Sequence, residues 1–275
     1  MIEFAMLTDA HIHLAALLER DPGFPERIGP GAGLGPRWSC CAASHDEGEW
    51  RRTELLRARL PPFVASFGIH PQWAVWNHAG LLERLAAERR IAAIGEAGFD
   101  FFGDRPERVR GEESERAQRE VFEFQLELAE RSGLPLLLHL RKAMDLAFAY
   151  APRLKRLPAA VFHSFPGTGA DAASFLAKGV NAFFSFGAPV LNGNKRAAAA
   201  CASVPEDRLL AETDAPWQPP RRVPAGDAPD AGGAGFCRAE DISLVAAGIA
   251  ALRDIEAEAI EPVLEANFLR AFDPR

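Results

Sequence analysis

Cysteine is scarce in this 275-residue chain: Cys40, Cys41, Cys201 and Cys237 show no CxxC spacing, and adjacent cysteines such as the first two rarely bridge each other. That excludes a disulfide framework and leads us to expect a reduced, cytoplasmic protein. Long apolar runs are also missing, and none approaches the roughly 20 residues that a membrane span requires. The first residues, MIEFAMLTDAH, carry neither a basic start nor a cleavable apolar stretch, so no export signal is expected. Positive charge is in deficit, with 31 Lys and Arg against 38 Asp and Glu, a net charge of −7. A protein that binds nucleic acid through bulk charge would be basic, so that class is disfavoured; an enzyme with a local positive strip stays open. No glycine-rich phosphate loop follows the first apolar run, which argues against an open dinucleotide-binding sheet.

What is present is an ordinary globular composition, 48% hydrophobic and 25% charged, which excludes a disordered chain. Short runs apolar on both faces read as buried parallel strands at Phe4–Thr8, Trp38–Ala43, Phe63–Phe67, Ile91–Ile94, Leu136–Leu138, Ala159–Phe162, Ala182–Phe186 and Leu209–Ala211. Amphipathic segments alternate with them at Gly80–Glu88, Glu112–Arg131, Met144–Tyr150, Ala170–Lys178 and Asn194–Ala202, and Ile242–Ala271 holds at least two more helices. Eight strands with intervening helices in this length predict an α/β fold, a (β/α)8 TIM barrel, as one domain over residues 1–275. Two Pro/Gly-rich stretches interrupt the pattern, Pro22–Arg37 where a first barrel helix would run, and Trp217–Phe236 after the last strand.

Polar residues gather where the strands end. The first runs into Asp9, His11 and His13, which a period of two places on one face so that both imidazoles can meet one ion. Later strand ends carry His70, then Glu96 and Asp100, then His139 and Arg141, then His163, and finally Glu212, Thr213 and Asp214. Five of the seven histidines fall at these ends, where such barrels gather their catalytic groups. Imidazoles with two carboxylates are metal-binding chemistry, better suited to Zn²⁺, Mn²⁺, Fe²⁺ or Ni²⁺ than to Mg²⁺.

The motifs in order are DAHIHL (Asp9–Leu14), GIHP (Gly68–Pro71), GEAGFDFF (Gly95–Phe102), QREVFEFQLELAE (Gln118–Glu130), LPLLLHLRKA (Leu134–Ala143), FHSFPG (Phe162–Gly167) and RLLAETDAP (Arg208–Pro216). This set resembles the TatD-type metal-dependent hydrolases, within the wider amidohydrolase barrels. The resemblance implies a dinuclear centre of divalent ions (Mg²⁺, Mn²⁺ or Zn²⁺). His11, His13, Glu96 and Asp214 would hold the first, and Glu96, His139 and His163 the second, with Glu96 shared. Related barrels bridge through a carboxylated lysine; GEAGFD offers Glu96 and no lysine. Asp214 is implied as both ligand and proton acceptor from the attacking water.

His70 is expected to contact substrate phosphate, or else to be a turn residue held by Pro71. Arg141 is expected to bind phosphate, or to pair with Glu123 or Asp145, and Lys142 stands where the family often carries an acid. Asp9 is expected to orient a histidine, or else to ligate directly; Glu212 and Thr213 are expected to orient Asp214, with a rim arginine as the other partner for Glu212. Asp100 either fixes the turn after Glu96 or pairs with a basic side chain. Trp73, Trp76 and Trp217 line the mouth or pack beside it, Arg221 and Arg222 are candidates for the positive strip, and His45 and His78 are assigned to the surface or to supporting positions. The implied activity is that of a phosphodiesterase, a deoxyribonuclease working from the ends of single-stranded DNA with metal-activated water. The alternatives are an ester or amide hydrolase, such as an aminoacyl ester deacylase, and an inactive metal-binding barrel. The partner is then single-stranded nucleic acid or a small phosphodiester or ester, with no membrane involved.

Overall fold

A computed structural model of the chain describes residues 6–29, 37–105, 108–221 and 235–272. Its strands are β1 (Leu7–Ile12), β2 (Trp38–Ser44), β3 (Val64–Phe67), β4 (Ala93–Asp100), β5 (Leu136–Arg141), β6 (Ala160–Phe162), β7 (Ala182–Phe186) and β8 (Leu209–Ala211). All neighbours pair in parallel in chain order from β1 to β8. Just past β8, Asp214 N donates to the His11 carbonyl and His13 N to the Ala215 carbonyl, both at 2.9 Å, so the barrel nearly closes at its carboxyl end.

The helices are α1 (Leu14–Arg20), α2 (Phe24–Ile28), α3 (Glu47–Leu56), α4 (Ala79–Ala87), α5 (Glu112–Ser132), α6 (Met144–Leu154), α7 (Gly169–Ala177), α8 (Lys195–Ser203), α9 (Ile242–Leu252) and α10 (Ala257–Phe272). Alternation along each strand separates two apolar layers. Leu136, Leu138, Phe162 and Phe184 face the helices, while Cys41, Leu137, Val161, Phe183 and Leu210 share a second cluster inside the barrel. Phe268 and Phe272 of α10 join that inner cluster, and Asn267 donates to the Leu209 carbonyl at 2.7 Å, so α10 covers the amino end.

Three readings of the sequence are corrected. The first strand lies at Leu7–Ile12, so it contains Asp9 and His11; residues 4 and 5 of the expected strand lie outside the described residues. The Pro/Gly-rich stretch does not displace the first helix. Leu14–Arg20 starts directly after His13, and Phe24–Ile28 carries Pro25 in its first turn, where a missing N–H costs nothing. Residues 30–36 of that stretch and 222–234 of the later one, Arg222 included, lie outside the described residues.

The third correction concerns register. Asp9 and Ile12 oppose Cys40 and Ala42, so β1 carries one residue more than β2 across His11; Ile94 and Ala97 likewise oppose Leu136 and Leu138 across Glu96. Each irregularity breaks the strict period of two and re-aims one side chain. At Gly95 and Gly98, with φ of +146° and +149°, an added Cβ would collide with the Leu137 and His139 carbonyls. Only glycine lets β4 lie this close to β5 on either side of Glu96.

Candidate metal centre

Glu96 is 1% exposed, and each of its carboxylate oxygens faces its own group of ring nitrogens. Oε2 lies 3.2 Å from His11 Nε2, 3.4 Å from His13 Nε2 and 3.1 Å from His45 Nε2. Oε1 lies 2.9 Å from His139 Nδ1, 3.5 Å from His163 Nε2 and 3.6 Å from His70 Nε2. Asp214 Oδ1 joins the first group, 3.4 Å from His11 Nε2 and 3.3 Å from His13 Nε2. The residues expected as ligands, His11, His13, Glu96, His139, His163 and Asp214, therefore converge from β1, β4, β5 and the ends of β6 and β8.

The electrostatics follow from burial set against these contacts. Burial opposes charge on Glu96, but His11, His70 and His163 hold its carboxyl well below the usual range. Asp214 is likewise buried, and is held below the usual range by hydrogen bonds to His11 and His13. Burial would depress His139, yet Asp100 and Glu96 push it up to about 9. Burial and the neighbouring His139 push His70 down to about 3.

This donor set suits divalent cations. His11 Nε2 and His13 Nε2 stand only 3.1 Å apart, and both face carboxylate oxygens. A neutral imidazole carries one proton, so ring nitrogens crowded this closely leave lone pairs that positive charge between them would satisfy. Candidate ligand atoms lie within 4.8 Å of one another in the groups His11–His13–Asp214, His11–Glu96–His163, His13–His45–Glu96 and His70–Glu96–His139.

The supporting residues act differently from expectation. Asp9 does not reach a histidine ring. Its Oδ1 accepts from the His11 and Thr213 backbone N–H groups at 3.2 and 3.0 Å, and its Oδ2 accepts from Thr213 Oγ1 at 2.6 Å, lacing β1 to the end of β8. Burial pushes this carboxyl up to about 7 despite the Thr213 contacts. Glu212 lies against His163 rather than Asp214 or a rim arginine: Oε1 is 3.0 Å from His163 Nδ1 and accepts from Ser164 N at 2.8 Å. The group that holds Asp214 is Gln218, whose Nε2 donates to Oδ2 at 2.6 Å and to Ser164 Oγ at 3.1 Å. Asp214, Ser164 and Gln218 all adopt left-handed backbone, φ of 57°, 42° and 50°, a costly conformation retained where side chains must be aimed.

Asp100 does both things expected of it, accepting from Phe102 N at 2.9 Å and lying 3.1 Å from His139 Nε2. Glu123 and Asp145 are taken by Tyr150 and Arg110, so Arg141 stays at the rim, stacked 3.9 Å over Phe102 and 4.0 Å from Asp100. His70 is both buried beside Glu96 and a turn residue, its Nδ1 accepting from Gln72 N at 3.1 Å.

Above the histidines opens a cavity of about 1050 Å³, lined by Trp73, Trp217, Phe102 and the cations Arg141, Lys142 and Arg196. Trp76 packs edge-on against Phe124 instead. The backbone N–H of Arg221 binds Asn192 Oδ1 at 2.6 Å.

Sequence reasoning missed three things. His45 follows β2 directly, and its place at a strand end was the available signal. Gln218 had none beyond lying four residues after Asp214. Gln118 and Gln125, two helical turns apart on α5, were quoted inside a motif without a role. Gln125 exchanges two hydrogen bonds with Ile69, at 2.8 and 3.0 Å, and Gln118 does the same with Asp100 at the same distances.

Residues 8–273 match the family model described as TatD related DNase. The chain is 36% identical over 174 residues to a protein of Dickeya dadantii named 3'-5' ssDNA/RNA exonuclease TatD, covering 61% of this chain and 62% of that one. It is 34% identical over 178 residues to a protein of the same name from Erwinia billingiae, covering 63% and 66%. The chain thus covers less than two thirds of the length of either relative. Its fold superposes on a solved homologue from Escherichia coli K12 with a TM-score of 0.78 and 25% identity over 97% of both chains. A hydrolase from Entamoeba histolytica superposes with a TM-score of 0.77 at 16% identity over the whole of both chains, a likeness of fold.

Proposed function

The chain belongs to the TatD-related DNase family, and on that footing we propose that it is a metal-dependent phosphodiesterase, an exonuclease on single-stranded nucleic acid. We place it in the cytoplasm as one domain over residues 1–275. Among the described residues no helix is long and apolar enough to cross a membrane, and the four cysteines are buried free thiols. One observation carries the reading: a buried carboxylate offers each of its two oxygens to separate histidines on the floor of a cavity lined by three cations and two indoles. That cavity is as large as the upper end of small-ligand pockets, roughly 300–1,000 Å³.

In this reading His11, His13, Glu96 and Asp214 would hold one divalent ion, and Glu96, His139 and His163 would hold a second. The imidazole-rich set favours Mn²⁺ or Zn²⁺ over Mg²⁺. Bound ions would supply Lewis acidity, making water more acidic and neutralising charge on phosphate. Asp214 accepts the proton of the attacking water at the carboxylate that Gln218 holds in place. Glu212 fixes the ring of His163, while Asp9 and Thr213 fix the strand ends bearing His11 and Asp214. His70 and Arg141 contact the phosphate, Arg141 with its planar fork. Trp73 and Trp217 give bases a stacking surface, each contact contributing about 1–3 kcal/mol.

The test is digestion of end-labelled single-stranded DNA with Mg²⁺ or Mn²⁺, beside Asp214→Asn. Cleavage from one end by the wild type alone is expected. Metal-loaded protein that leaves DNA intact but hydrolyses model esters would replace this reading with the ester hydrolase. Loaded protein inert on both would replace it with the inactive barrel.

A further inference from the structure

Among the ring nitrogens that face Glu96, those of His45 belong to no ligand set assigned so far. His45 follows β2 and precedes the capping residue of α3, Asp46, whose side chain accepts from Glu49 N at 2.8 Å. In return Glu49 Oε2 accepts from His45 N at 2.7 Å, which fixes the backbone at this position. The ring is anchored too, its Nδ1 lying 3.2 Å from the Gly68 carbonyl oxygen. A carbonyl only accepts, so Nδ1 carries the proton. β4 passes so close to Gly68 that a Cβ there would collide with Gly95.

These contacts place a proton on Nδ1 and turn Nε2 toward Glu96. In a neutral ring protonated at Nδ1, Nε2 is a bare lone pair, and it lies 3.1 Å from Glu96 Oε2, itself an acceptor. Two acceptors at that distance need positive charge between them, a second proton on the ring or a metal ion in that proton's place. An Nδ1–H bound to a backbone carbonyl is also the arrangement by which ligating histidines present Nε2 to a metal. His13 Nε2, 3.4 Å from the same oxygen, completes a group whose ligand atoms lie within 4.8 Å of one another.

We propose that His45 is a further ligand of the metal centre, adding a third imidazole to His11 and His13 on the Oε2 side of Glu96. The inference rests on the metal-centre reading above. Its consequence is selectivity: a third neutral nitrogen raises affinity for Zn²⁺, Co²⁺ or Mn²⁺ and does little for Mg²⁺, which prefers oxygen.

The test is calorimetric titration of EDTA-stripped protein with Zn²⁺ and with Mg²⁺, together with the visible spectrum of the Co²⁺-loaded form. Wild type is compared with His45→Ala and His45→Phe, the second keeping a ring without nitrogens. Thermal melts in EDTA confirm that each variant is folded. Wild type should bind two Zn²⁺, and both variants should bind one of them more weakly by at least the roughly 10- to 100-fold that loss of an outer partner of a ligand brings, with an altered Co²⁺ spectrum and unchanged Mg²⁺ affinity. Identical Zn²⁺ isotherms and Co²⁺ spectra in wild type and variants would overturn the role of His45 while sparing the metal centre. A wild type that binds no ion would overturn both.

Discussion

The two ends of the barrel obey different rules. From β5 to β8 the pairing runs in unbroken register, and the interior beneath is filled by Leu137, Val161, Phe183 and Leu210. At the carboxyl end β1 and β4 each carry an extra residue, Asp214, Ser164 and Gln218 adopt left-handed backbone, and buried carboxylates meet buried imidazoles. Apolar burial stabilises the first region with no specific chemistry. The second departs from regular structure at the residues that converge on Glu96, as expected where a protein gives up local consistency for a site.

The sharpest way to break this contrast is a pair of truncations. Phe183→Ala should cost about 3–5 kcal/mol in denaturant unfolding, leaving metal stoichiometry and activity per folded molecule intact. Glu96→Ala should do the reverse, abolishing binding of both ions and lowering activity about 10³-fold or more, while its melt in EDTA stays close to wild type. If Phe183→Ala lost metal, or Glu96→Ala lost its fold, the two ends would be one cooperative unit and the division of labour would fail.

Legibility in the sequence divides along the same line. The apolar strands from Leu136 onward appear where buried parallel strands were expected, β7 and β8 to the residue, because periodicity reports burial directly. The residues that converge on Glu96 were legible because chemistry-bearing side chains interrupt apolar runs at strand ends. The first strand was placed too early, since Asp9 and His11 look like the end of a strand when they lie within one. His45, assigned from sequence to the surface or to a supporting position, follows the end of β2 directly and faces Glu96. Gln218 and the α5 glutamines act through contacts between elements distant in the chain, which no local pattern carries. The partner of Glu212 was misjudged for the same reason: from sequence its neighbour is Asp214, whereas across the barrel it is His163.

The next largest effect concerns Asp9, the joint between β1 and β8. Its carboxyl titrates near 4 in the unfolded chain and near 7 in the folded one, so between these values the native state holds the extra proton. Stability from this group is therefore complete below about pH 4 and is lost as pH rises through 7, by about 4 kcal/mol at most. Asp9→Asn, which cannot ionise, should remove that part of the slope. Urea unfolding of both proteins in EDTA from pH 4 to 8 measures it, and a wild type that gains stability over the variant with rising pH would mean Asp9 is held ionised.

The smallest effect on activity separates positioning from packing. Gln125 reaches from α5 to both backbone polar groups of Ile69, one residue before His70, and all of these atoms are buried. Gln125→Leu keeps much of the volume but leaves the Ile69 N–H and carbonyl unpaired, at about 1–3 kcal/mol for each group so exposed. If the carboxyl end is held by such contacts from outside the barrel, the cost does not stop at stability. The turn bearing His70 should loosen, raising KM for DNA several-fold with little change in kcat, since Asp214 and Gln218 lie across the barrel on another joint. A loss of stability with KM unchanged would show that α5 merely packs, and that the turn at His70 is held by Pro71 and the Gln72 N–H alone.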